Sequence, residues 1–158
     1  MGCWRYRPIL ITKRSGSRRN QPGNTAFVFG HERHFRLFGP AEAAGLFEAA
    51  FQQRVTLYVA SLTFSHVYYT ARKTVGPDQA RNWLRQLTAL VRIVAIDAAT
   101  VETALASAIP DVEDALQYAA ASAQPLVTAI VTRNTRGLPF TPHLPILAPD
   151  EADRLVVA

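Results

Sequence analysis

Three short, almost wholly apolar runs, at 55–60, 92–96 and 126–132, recur between longer stretches with a helical period. This alternation constrains the fold more than any other feature, because a strand apolar on both faces has to be covered on both faces. Pro40 opens a helix expected to reach Gln53, with Ala44, Leu46, Phe47, Ala50 and Phe51 on its apolar face. Ser61 reads as the cap of a second helix to Lys73, and Gly76, Pro77 and Asp78 break the chain before a third over 79–91. Asp97 should cap a helix over 98–107, another should cover 111–123, and a last strand at 145–148 precedes a terminal helix from Pro149. The expected architecture is α/β: three layers, α/β/α, around a central parallel sheet.

Ligands of such sheets bind beyond the carboxyl ends of the strands. The polar punctuation falls there: Ser61 after the first run, Asp97 after the second, and Thr132, Arg133 and Asn134 after the third. Asp111 and Asp114 lie three apart at the start of the helix that precedes the third run. If Val112, Ala115, Leu116 and Ala119 form the packing face, both carboxylates escape the core. Carboxylate and amide oxygens suit a hard divalent cation, which phosphodiester hydrolysis needs for charge neutralisation and an activated water. An acid before a helix also reads as an N-cap, and Asp111 fits that role as well as a metal ligand's.

Charge is distributed unevenly along the 158 residues. Residues 1–36 carry eight Arg and Lys against Glu32 alone, whereas 37–158 carry nine basic and eleven acidic side chains. The expected division is a basic, flexible arm over 1–36 and an α/β domain over 37–158. The arm's Ser, Gly, Asn and Arg content offers little to bury, and its charge can attract phosphate or simply be solvated. A single cysteine, Cys3, excludes an internal disulfide framework, and no apolar run approaches a membrane span, so a cytoplasmic protein is expected. No Gly-x-Gly-x-x-Gly, phosphate-binding Gly-Lys-Ser/Thr or Gly-x-Ser-x-Gly motif supports a small-molecule enzyme.

Four blocks together, Thr63 to Tyr69, Asp111 to Ala121, Ile130 to Asn134 and Ile146 to Glu151, resemble the successive motifs of a PIN domain, especially its bacterial VapC-like toxin branch. The resemblance implies a magnesium- or manganese-dependent endoribonuclease of toxin–antitoxin type. Its implied partners are RNA and an antitoxin protein, and a homodimer is expected. It assigns metal binding and catalysis to Asp114 and Asp111, places Asn134 in the metal shell, and gives Thr132, Arg133 and Arg136 contacts with the substrate. The family's acid on the second helix falls at His66, a possible replacement, and the acid that usually follows Thr-Arg-Asn falls at Gly137.

The family's first strand ends in an Asp that binds metal, but here the candidate strand, Ile9 to Ile11, runs into Thr12, Lys13 and Arg14. The first strand is therefore expected to be missing or replaced, with 25–29 or a second subunit covering the gap, and activity to be impaired. The alternative function is a catalytically silent PIN-like module that binds RNA or protein.

Overall fold

All three apolar runs enter one five-stranded sheet of order β3-β2-β1-β4-β5 in the computed structural model, which describes residues 9–12, 44–132, 138 and 144–157. In chain order the elements are β1 (Ile9–Thr12), α1 (Ala44–Phe51), β2 (Thr56–Ala60), α2 (Ser61–Val75), α3 (Pro77–Leu90) and β3 (Val91–Val94). They continue with α4 (Ala98–Leu105), α5 (Val112–Ser122), β4 (Val127–Val131), β5 (Ile146–Leu147) and α6 (Pro149–Val157). This is the expected three-layer α/β/α fold, and each apolar run stands within a residue or two of its predicted place.

The first strand is the main surprise. Ile9–Thr12, within the basic arm, fills the middle of the sheet and runs antiparallel to both neighbours, with Leu10 opposite Tyr58 of β2 and Ile130 of β4. The sheet is thus mixed, because β2 with β3 and β4 with β5 form the parallel pairs. Since β1 opposes both neighbours, the other four strands share one direction. Their carboxyl ends lie along one edge, where β1 begins at Ile9, beside Val131, and its own carboxyl end at Thr12 lies on the opposite edge. The segment 25–29, the expected cover for a gap, lies outside the described residues.

The core behind this edge is aliphatic. Leu46, Leu57, Val59, Ile130 and Val131 are essentially inaccessible, each contributing roughly 1.5–3 kcal/mol by leaving water. The amide of Leu46 in α1 donates to Asp153 Oδ1 of α6 at 2.9 Å, and a Cβ on Gly45 would meet that oxygen at 2.5 Å. Glycine at 45 therefore lets the terminal helix close on α1. No helix among the described residues is long and apolar enough to cross a membrane.

The helix starts correct one expectation and bear out another. Ser61 does not cap α2: the N-cap is Ala60, without a side-chain bond, and Ser61 Oγ accepts from the Ile96 amide at 3.2 Å. Its hydroxyl ties the chain leaving β3 to the start of α2. Asp97 does cap α4, its Oδ1 accepting from Thr100 N at 2.8 Å and from Thr100 Oγ1 at 2.7 Å.

Those bonds, the hydroxyl's first and the amide's second, hold the Asp97 carboxyl below its ordinary pKa of 3.8. A depressed folded-state pKa gives stability that is complete above the unfolded value and disappears as pH falls through the folded one. The melting-temperature gap between wild type and Asp97→Ala should therefore hold above pH 3.8 and close below it. A gap unchanged in strong acid would mean that the carboxylate does not carry the cap.

Candidate active site

At the shared carboxyl edge, α5 brings its N-terminus level with the end of β4. It has eleven residues and packs on the five-residue β4, to which it returns through 123–126. At about 1.5 Å per helical and 3.3 Å per strand residue both elements span roughly 16 Å. Its first turn holds Glu113 and Asp114, and its N-cap is Asp111.

Asp111 Oδ1 accepts from the amides of Glu113 at 2.9 Å and Asp114 at 3.0 Å, the capping arrangement. The residue is exposed, and its Oδ2 has no hydrogen bond among the described residues. Asp114 differs from the expectation, because its carboxylate is 3% exposed rather than outside the core. The positive end of the α5 dipole offsets part of the cost of burying that charge. Val112, assigned to the packing face, is 54% exposed.

Glu113, which sequence reasoning passed over, faces α2. His66 Nδ1 lies 2.7 Å from Glu113 Oε1, with side chains only 22% and 16% exposed. This contact joins the two helices that flank the site. The sequence showed only that Glu113 and Asp114, as adjacent helix residues, point in different directions; the meeting with His66 depends on how α2 and α5 pack.

The same two helices each carry a further buried polar side chain. Thr63 Oγ1 on α2 and both amide atoms of Gln117 on α5 lack hydrogen-bond partners among the described residues. An unsatisfied buried polar group costs about 1–3 kcal/mol, so a polar partner, such as water, is expected at each of these atoms. Thr132, at the exit of β4, is buried, and its amide donates to Leu147 O of β5 at 2.9 Å. Arg133, Asn134 and Arg136 lie outside the described residues.

A family model for the PIN domain matches residues 36–136. The chain belongs to the PIN domain family. No curated protein and no solved structure matches it. PIN domains are in general nucleases that use divalent metal ions, and the buried acid at the carboxyl edge stands where ligands of such folds bind.

The donor set fits a divalent ion in kind but is short in number. Asp114 and Asp111 offer hard oxygen donors, while Glu113 is engaged by His66. Among the described residues no three His, Cys, Asp or Glu side chains gather into a metal-holding group. The strand that enters the edge contributes Ile9 rather than an acid. A cation here would need water and substrate phosphate to complete its shell, as magnesium commonly does.

Proposed function

We propose that this chain is a divalent-metal-dependent endoribonuclease of the VapC-like toxin–antitoxin branch, acting in the cytoplasm with turnover reduced by its incomplete acid set. The observation that carries this reading is the buried Asp114 carboxylate in the first turn of α5, at the edge where four parallel strands end. Magnesium or manganese, when bound, would neutralise charge on the scissile phosphate and activate a water.

Asp114 and Asp111 would hold the ion, with Asn134 joining its shell. Asp114 does so from a rigid, water-poor position, so its charge acts through low dielectric. Asp111 fixes the start of α5 through Oδ1 and keeps Oδ2 for the ion or one of its waters. Thr132 holds the exit of β4 against β5, and Arg133 and Arg136, which follow it in sequence, would contact RNA phosphates. An antitoxin protein and a second copy of the chain are the expected protein partners.

A second reading, a silent PIN-like module that binds RNA or protein, is favoured by the direction of β1. Its carboxyl end, where an acid would be wanted, points away from the site. One experiment separates the two: full-length protein is titrated with Mn²⁺ by calorimetry, then incubated with labelled single-stranded RNA with Mn²⁺ or EDTA. Heat of binding and EDTA-sensitive cleavage are expected. RNA binding without heat or cleavage at about millimolar ion, above which sites count as very weak, would leave the silent module.

A further inference from the structure

The two helical pairs flanking the site carry opposite charge. α2, α3 and β3 hold Arg72, Lys73, Arg81, Arg85 and Arg92, all exposed, against Asp78 alone. Asp78 sits 3.8 Å from Arg81, so the other four cations have no acid in these elements. By contrast no Lys or Arg occurs between Arg92 and Arg133, a stretch that contains five acids. A polyanion entering the candidate site is repelled from the α4–α5 side and drawn over α2 and α3.

One of these cations, on α2, also lies beside an exposed aromatic ring. Tyr69 is 52% exposed, and the Arg72 guanidinium carbon lies over its ring, 4.6 Å from the centroid. The same guanidinium is 5.8 Å from the Tyr68 ring, and the two tyrosines meet edge to face at 6.0 Å. Arg72 forms no ion pair with a carboxylate among the described residues. An exposed ring beside a guanidinium offers a π surface and phosphate donors together, the combination that receives an unpaired base and its backbone.

The placement follows the helix from the site outward. His66, Tyr69 and Lys73 share one face of α2, at i, i+3 and i+7. At about 1.5 Å per residue Tyr69 stands roughly 4.5 Å, and Lys73 roughly 10.5 Å, along the axis from His66.

We propose that Tyr69 and Arg72, backed by Tyr68, form a stacking subsite for an unpaired base of single-stranded RNA lying across α2 and α3. The assignment rests on the RNA reading above and extends it to a surface apart from the acids. It is tested with the full chain in EDTA by fluorescence anisotropy, using a labelled single-stranded oligoribonucleotide and the same sequence as a duplex. Loss of one base–aromatic stack is worth about 1–3 kcal/mol, so Tyr69→Ala should weaken single-strand binding about 5- to 150-fold and leave duplex binding unchanged. Tyr69→Phe, which keeps the ring, should bind as wild type does. Arg72→Ala should weaken binding and lower the salt slope by about one counterion.

Wild-type binding that Tyr69→Ala does not weaken overturns the subsite and leaves the RNA reading standing. Absence of any wild-type RNA binding removes both. If polyglutamate binds and Tyr69→Ala weakens it as much as it weakens RNA, the surface belongs to an acidic protein and the proposal falls.

Discussion

Leu10→Pro should lower the stability of the protein by about 3 kcal/mol or more, a large share of the 5–15 kcal/mol typical of a domain. Leu10 is the middle of the central strand, opposite Tyr58 on one side and Ile130 on the other. Proline has no amide hydrogen and is confined to edge strands and bulges, so here it breaks a ladder bond that water cannot replace. Leaving β2 and β4 without a mediator splits the sheet into two parallel pairs, neither of which is a stable unit of its own. For a chain of this size the melting temperature should drop by about 6–12 °C. Leu10→Ile, which leaves the backbone able to pair, is the control and should melt close to wild type. Equal melting of Leu10→Pro and wild type would mean that 9–12 is not the strand that joins the two halves.

The layers of this fold were legible because the strands announce themselves. Runs such as Thr56–Ala60 and Val127–Val131 are too short and too uniformly apolar for anything but covered sheet strands, and Asp97 marked its helix start by local chemistry. The shared direction of β2, β3, β4 and β5 was legible, that of β1 was not. Ile9–Thr12 is apolar enough to enter a sheet, but the choice between parallel and antiparallel pairing depends on where the chain returns, which four residues do not encode.

The site was half legible for a similar reason. Asp111 as a cap is a local matter of one side chain and two amides, and the motif alone indicated it. Burial of Asp114 depends on what surrounds α5. Alanines at 115, 119, 120 and 121 are all buried, so the helix packs on more than one side, and its weak apolar period gave no single face to read. Ala115 and Ala119 are buried as expected, but Val112 is exposed and a second side of the helix, carrying Asp114, is covered too, while Gln117, polar but 1% exposed, carried no hydrophobic signal.

Asp114→Asn should reduce metal-dependent RNA cleavage by about 100-fold or more, the scale for removing one group that stabilises charge in a transition state. The substitution keeps the shape of the side chain and removes one negative charge from a position 3% exposed. Among the described residues no neighbouring acid is placed to replace that charge: Glu113 contacts His66, and Asp111 is exposed and committed through Oδ1 to the helix start. The heat of Mn²⁺ binding should vanish with the activity. Single-stranded RNA binding in EDTA should persist, since Tyr69 and the cations of α2 and α3 are untouched. That separation is the informative part. If Asp114→Asn still binds Mn²⁺ as wild type does, the ion is held elsewhere and the buried acid only secures α5. If RNA binding falls together with cleavage, the acid acts by maintaining the fold, which a loss of melting temperature in the same variant would register.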